Sequence, residues 1–401
     1  MAKIERILIV GGGIAGLAGA VALRQRGFAP EIVERSGTWP IAGAGILLHG
    51  NSLRALHSLG LDEAVMNAGA LVPSLRHLDK AGRLAAEVAL SDIWEGVGPT
   101  VAIHRRALHA ILASAASDVP TRMGTGLVSL RQSESYVEAT LSDGSAAKYD
   151  LLVAADGIHS TARDLAFTPT LPSYVQQLYW RTCIPNTGDI TTWTVMRAEG
   201  CFLGFIPLGG EMAYCFAQLV TPEQFEDPVA GRRGRLRERF ADFGGIARDA
   251  LPRLGADESI HFGMAQEIAR DQWRAGRVLL IGDAAHACSP IIGQGGAMAM
   301  EDAVVLGDVL LSASTLDQAL DEFLGRREPR VRWVRERTHL AIRSMANTTL
   351  LERADLSSLL LAEMRDSVDH EQLTVLIQQT EQLVADQALL LPLYAEPVTA
   401  V

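Results

Sequence analysis

Apolar residues along this chain follow two registers, and the switches between them mark its parts. A continuous apolar run, Ile7-Leu-Ile-Val10, leads into the glycine-rich turn Gly11-Gly-Gly-Ile-Ala-Gly16, a stretch of helical period to about Arg26, and the run Pro30-Glu-Ile-Val-Glu34. Unbroken apolar runs suit parallel strands buried on both faces, so the segment predicts strand, tight turn, helix and strand, a βαβ unit. Alternation of period two then runs from Ser74 to Ala89 around Ala81-Gly82 and predicts a β-ribbon. A helix is predicted from about Arg105 to Ala116, then strands near Gly126–Leu130 and Val137–Leu141 with Asp143-Gly144 as a hairpin turn, and a buried strand over Tyr149–Ala155. From Ser173 to about Gly263 the segments Val175–Ile184, Thr192–Arg197, Gly200–Ile206 and Met212–Leu219 are rich in aromatics and predict a separate sheet. An apolar strand returns at Arg277–Gly282. A helix follows from Gln294, and over Leu316–Leu391 Leu, Val and Ile recur at three- and four-residue spacing, the mark of amphipathic helices. No repeat or linker divides the chain, so the nucleotide-type domain is expected in discontinuous pieces with the sheet inserted between them.

Composition narrows the function classes. With 401 residues, 48% hydrophobic and 21% charged, the chain is long enough for two ordinary globular domains. A formal charge of −11 argues against a nucleic-acid surface, which needs clustered Lys and Arg. The one arginine-rich run, Arg232 to Arg239, is broken by Gly234, Leu236 and Glu238 and reads as a solvated helix face. Cys183, Cys201, Cys215 and Cys288 sit at no metal-ligand or redox spacing, so reduced thiols and no metal are expected. Met1 is followed almost at once by the first strand with no signal-peptide pattern, which predicts a cytoplasmic protein. No stretch reaches the roughly 18 to 20 apolar residues of a membrane span; the leucine-rich end near Ala388 to Leu393 is short and carries Pro392, so tail packing or a partner contact is expected there.

The chemistry begins with the G-x-G-x-x-G of Gly11, Gly13 and Gly16 between strand and helix. The first glycine permits the turn, the second lets a pyrophosphate approach the backbone, and the third lets helix and strand pack closely. The helix start, with Ile14 and Ala15, offers unsatisfied N–H groups to phosphate. Glu34 ends the next strand, where an acid accepts hydrogen bonds from the ribose hydroxyls of a dinucleotide. Far downstream a buried strand delivers Asp283 at its end, suited to the hydroxyls of a ribityl chain. Gly293, Gly295 and Gly296 then open a helix whose N–H groups suit the pyrimidine edge of a flavin.

This second segment, Gly282-Asp-Ala-Ala-His286 followed by Pro290 and Gly293-Gln-Gly295, resembles the signature of the flavoprotein aromatic hydroxylases, the family of p-hydroxybenzoate, salicylate and 3-hydroxybenzoate hydroxylases. Asp156-Gly157-Ile-His-Ser160-Thr-Ala-Arg163 is similar to that family's Asp-Gly element, and the three marks occur in the family's order over about Ile7 to Leu310. The resemblance implies an α/β fold: a Rossmann-like FAD-binding domain of the p-hydroxybenzoate hydroxylase type over 1–73, 98–172 and 264–327, a mainly antiparallel β-sheet substrate domain over 74–97 and 173–263, and a C-terminal helical segment over 328–401 that either covers the flavin domain or makes a dimer contact. It implies a monooxygenase that takes electrons from NADH or NADPH and passes one atom of dioxygen, through a flavin hydroperoxide, to an aromatic small molecule. Epoxidation of a non-aromatic substrate, flavin oxidation without oxygen insertion and a non-catalytic redox sensor remain open alternatives, as do monomer and homodimer.

By the same resemblance Arg105, or its neighbour Arg106, contacts FAD; Arg35 lies against the adenine; Leu127 sits on the strand beside the adenine; Gly43 to Ile46, Gly45 among them, lines the flavin; Asp156 lies near the pyrophosphate; and the Pro290 carbonyl faces the substrate. A phenolic substrate needs a base or a relay of hydroxyls, for which Arg181, Tyr214 and His49 are candidates, with Tyr179 beside them. His49 stands where these sequences often have proline or a small residue, and reads equally as a loop histidine with a structural hydrogen bond. Trp193, Met196, Phe202, Phe205 and Phe216 are candidates for an aromatic wall. His286 reads as a packing residue, and Cys288 as a small buried one.

Overall fold

The computed structural model describes residues 4–39, 44–347 and 350–369; Gly43 and the leucine-rich end near residue 390 lie outside them. Ile7–Val10 is a strand buried at all four positions, paired in parallel with Leu151–Ala154 on one side and Pro30–Glu34 on the other. Thr121–Met123 and Val278–Leu280 extend this sheet in parallel, and Arg274–Ala275 closes one edge antiparallel. Because the inner strands point the same way, Gly11, Glu34, Asp156 and Asp283 all emerge at one edge although they are far apart in sequence. Open parallel sheets bind ligands at that edge.

The second sheet has seven strands in the order His261–Glu267, Ser173–Pro185, Met212–Val220, Cys201–Pro207, Trp193–Ala198, Ser74–Asp79 and Leu84–Ala89. Its neighbours are antiparallel except where Ser74–Asp79 joins Trp193–Ala198 in parallel, which attaches the early ribbon to the later sheet. Side chains alternate across it. Trp193, Phe202 and Phe216 face the first sheet, whereas Met196 and Phe205 point the other way into a separate core with Leu236, Phe240 and Phe243. Met196 and Phe205 are therefore not part of the aromatic wall: each lies three residues from a wall residue on its own strand, an odd spacing that reverses the face. The Arg232–Arg239 helix covers this second core through Leu236 and leaves most of its arginines exposed; Arg232 and Arg235 close on Asp227, which also accepts the Trp180 indole N–H at 2.7 Å.

The C-terminal helices Leu316–Asn347 and Leu350–Asp366 pack against the seven-stranded sheet, and the first of them also against the helix Gly295–Ser312. A buried ion cluster fastens the first of them. Arg327 bonds Glu301 at 2.8 Å and Asp302 at 2.7 Å, Arg330 reaches Glu301 at 3.2 Å, and Asp302 also accepts from the Gly282 N–H at 2.8 Å and pairs with His286 at 2.7 Å. Burial alone would raise the Glu301 carboxyl, but the guanidinium groups of Arg330 and Arg327 outweigh it and hold the pKa at about 2. A carboxyl depressed in the folded state contributes stability that is whole above its ordinary value, 4.5, and is lost as pH falls toward about 2. Urea unfolding midpoints should accordingly fall with pH across that window, and less steeply in Glu301→Gln; parallel curves for the two proteins would refute the assignment. No helix among the described residues is long and apolar enough to cross a membrane.

Candidate cofactor and substrate site

A cavity of about 610 Å³ lies between the carboxyl edge of the parallel sheet, the inner face of the seven-stranded sheet and the C-terminal helices. Its cofactor side is built by glycines of two kinds. Gly11 (φ +105°) and Gly16 are packed so closely that no Cβ fits: one on Gly11 would stand 2.5 Å from the Ala155 carbonyl oxygen, and one on Gly16 would collide with the Gly11 carbonyl. Gly13, Gly157 and Gly295 line the cavity instead, and a Cβ on any of them would meet nothing within 4 Å. The first pair shapes the turn and the second set leaves room for a ligand against bare backbone.

Gly13 and Gln294 are the N-caps of Ile14–Gln25 and Gly295–Ser312, and neither helix has a side chain capping its first N–H groups. Two helix starts thus face the cavity with donors to spare and a partial positive charge. Glu34 accepts the Gly12 N–H and the Ser36 N–H, both at 2.8 Å, which fixes its carboxylate beside the turn with lone pairs left for hydroxyl donors. Asp283 is exposed to the cavity while Ala284, Ala285 and His286 after it are buried. These donors and acceptors suit FAD: backbone N–H for pyrophosphate, and one acid each for the ribose and the ribityl chain.

The remaining expected residues divide by position. Ile14, Ala15, Gly45, Arg105, Pro290, Gly293 and Gly296 line the cavity, and Arg106 does not. Arg35 is exposed beside Gly126, and the Leu127 side chain is buried below the strand that follows Thr125, whose N–H bonds the Glu34 carbonyl. Asp156 turns its carboxylate onto Ser160 and the Ala162 N–H at 3.1 Å, capping the helix Thr161–Ala166; burial raises its pKa. Arg163, itself buried, donates to the carbonyls of Ala284 (3.1 Å) and Ile158 (2.8 Å), so the Asp-Gly element braces the Asp283 turn from below. The Pro290 carbonyl accepts the Gly293 N–H at 3.0 Å, closing a turn in which Gly293 takes φ +67°. His286, paired with Asp302 and set against Trp273, lies outside the cavity lining. Burial pushes the Cys288 thiol up to about 12, which keeps it protonated.

On the substrate side Arg181 lies 4.2 Å over the Tyr179 ring, and Tyr214 packs directly on Gly45, where a Cβ would approach it to 2.5 Å. Burial raises the Tyr214 phenol. A bulge in Ser173–Pro185, with Gln176 at φ +56°, turns Gln177 inward between Ser289 and Gln218, and Gln218 reaches the cavity. His49 is buried and borders the cavity beside Gly293.

The outer support of the glycine turn went unseen in the sequence. The Trp39 ring lies tilted against His109 with centroids 5.2 Å apart, and His109 bonds the Gly12 carbonyl at 2.9 Å, supporting the glycine turn from outside. Leu356, Leu360, Leu361 and Met364 of the last described helix wall the cavity opposite the sheet, so this helix covers the site. Its apolar spacing is the signal, but spacing alone does not say what a helix covers.

A family model described as an FAD binding domain matches residues 5–338. Among curated proteins the chain is 32% identical to the aurachin C monooxygenase/isomerase of Stigmatella aurantiaca, over 79% of this chain and 83% of that protein. It is 31% identical to the 2-heptyl-3-hydroxy-4(1H)-quinolone synthase of Pseudomonas aeruginosa, over 83% and 87%. Among solved structures, Klebsiella pneumoniae HpxO complexed with FAD and uric acid superposes with a TM-score of 0.83 at 26% identity, covering 91% of this chain and 96% of that one.

Proposed function

The chain belongs to the FAD binding domain family of FAD-dependent monooxygenases, and from that premise we propose that it hydroxylates an aromatic or heteroaromatic small molecule in the cytoplasm, with NADH or NADPH as reductant. One observation carries the substrate class: the glycine-and-Asp283 cradle opens directly onto an aromatic sheet face bearing Trp193, Phe202 and Phe216. The relatives point the same way, since one is named for a quinolone and one solved structure holds uric acid.

FAD, when bound, supplies the redox chemistry and the activation of dioxygen. The protein's own residues bind, orient and exclude water. Gly13 and the helix start behind it hold the pyrophosphate, Glu34 the ribose and Asp283 the ribityl hydroxyls, with Arg105, Arg35 and the Leu127 strand as further contacts at the phosphate and adenine end. The helix start at Gly295 and Gly296 favours negative charge at the pyrimidine edge. Segments 1–73, 98–172 and 264–327 form the cofactor part, 74–97 and 173–263 the substrate part, and 328–401 the cover. Trp193, Phe202 and Phe216 flank a flat ring, Arg181 and Tyr214 reach its polar groups, and the apolar helix with Leu360 and Met364 keeps water from the reacting atoms.

Asp283→Ala should weaken FAD binding by about 10- to 100-fold, the worth of a hydrogen bond to a charged group, read from the flavin retained after dilution. An unchanged affinity would remove Asp283 from the site. The function itself is tested by screening phenols, pyridines and quinolines for stimulated NADH or NADPH oxidation and weighing the products. The expected result is stimulation coupled to a product heavier by one oxygen; stimulation that yields only hydrogen peroxide, or none with any compound, overturns the proposal.

A further inference from the structure

Among the buried polar groups, His49 stands apart. It follows the strand Gly45–Leu48 and begins the helix Gly50–Ser58, with its backbone engaged in the turn and its ring driven into the interior. The imidazole is 1% exposed, stacks on Trp94 (centroids 5.6 Å, planes 18° apart) and tilts against Trp193 at 5.9 Å. Neither Nδ1 nor Nε2 has a hydrogen-bond partner among the described residues, and the Trp193 indole N–H beside it has none either. Both rings border the cavity, and a Cβ placed on Gly293 of the flavin turn would come within 3.6 Å of His49 Nε2. A buried polar atom left unpaired is costly, and on a residue that borders a cavity it calls for a partner, whether water, ion or ligand.

Resting on the aromatic-substrate reading above, we propose that His49 is the substrate anchor, hydrogen-bonding a ring hydroxyl, or the equivalent oxo and N–H tautomer, with the Trp193 N–H as a second donor to the same group. The substrate class is therefore a hydroxylated or oxo-bearing aromatic rather than an unsubstituted one. Burial lowers the imidazole to about 4, so at neutral pH the ring is uncharged and presents one donor and one acceptor. The acceptor nitrogen takes the proton of a hydroxyl whose oxygen accepts the Trp193 N–H, an arrangement that a methyl ether or a bare ring edge, having no proton to give, cannot complete. By accepting from the hydroxyl, the imidazole leaves electron density on the ring that is to be oxygenated. Packing between the stacked Trp94 and the tilted Trp193 holds the ring at a fixed angle with no hydrogen bond to it among the described residues.

The test uses the FAD-loaded full chain and a panel of hydroxylated benzenes, pyridines and quinolines, each beside its O-methyl ether, titrated by perturbation of the flavin absorbance. Wild type should bind at least one hydroxyl compound about tenfold or more tighter than its ether, since a site built for a hydroxyl rejects the analogue lacking it. His49→Phe keeps the stacked ring and lacks the nitrogens. It should retain FAD, keep or raise the thermal midpoint, hold the ether as wild type does and lose the hydroxyl preference, while His49→Asn restores part of it. Preference intact in His49→Phe, or a lowered midpoint there, overturns the anchor. Binding of the panel without hydroxyl preference in wild type also overturns it while sparing the aromatic reading. A panel that perturbs the flavin nowhere in wild type overturns both.

Discussion

Gly13→Val is expected to give a folded, colourless protein. A Cβ at Gly13 meets no protein atom within 4 Å, and its backbone (φ −76°) accepts any side chain, so the fold has nothing to lose. The added methyls would occupy the space in which the pyrophosphate approaches the helix start. FAD affinity should fall at least about 100-fold, roughly 2.7 kcal/mol, with far-ultraviolet circular dichroism and the unfolding midpoint unchanged. Gly16→Ala should behave in the opposite way, because its Cβ strikes the Gly11 carbonyl and the turn must open. Flavin-to-protein absorbance ratios beside urea unfolding curves separate the two effects; a Gly13→Val protein that purifies yellow would show that the cradle is not where FAD lies.

The second large effect belongs to the buried cluster. Arg327→Met leaves Asp302 and part of Glu301 facing each other in the interior, with only His286 and Arg330 to balance them. Removing one member of a buried ion network typically costs about 3–5 kcal/mol, far beyond the range of an exposed pair. The loss should appear in urea unfolding at neutral pH, together with weaker FAD retention, because Asp302 also holds the Gly282 N–H just before Asp283. A loss smaller than about 1 kcal/mol, the scale of exposed pairs, would mean that the cluster does not fasten the C-terminal helix to the cofactor turn.

How legible these features are in the sequence depends on how local they are. The βαβ unit and its glycines occupy one short stretch, and the left-handed φ of Gly11 and the contact of Gly16 with the Gly11 carbonyl arise within the turn itself, so the pattern announces itself; the Ala155 carbonyl that also crowds Gly11 does not. Asp283 is read from its place at the end of an apolar run. The aromatic wall is half legible: alternation marks Trp193 and Phe202 as candidates, yet periodicity carries no phase, and Met196 and Phe205 on the opposite face look equally suitable until the strands are paired. His49 is half legible: its place in the loop after Gly45 marks it as a candidate, but its burial comes from Trp94 and Trp193, distant in sequence and joined to it only by the fold. The same holds for Glu301 and Asp302, two ordinary helix acids until Arg327 and Arg330 arrive from the next helix.

The central claim is that this cavity, loaded with FAD, places an atom of dioxygen on an aromatic ring. Turnover under oxygen-18 gas in ordinary water, with any compound that stimulates NAD(P)H oxidation, tests it most directly. The account predicts a product carrying one oxygen-18 atom on the ring; a product whose new oxygen comes from water, or an oxidised product with no new oxygen, would contradict it.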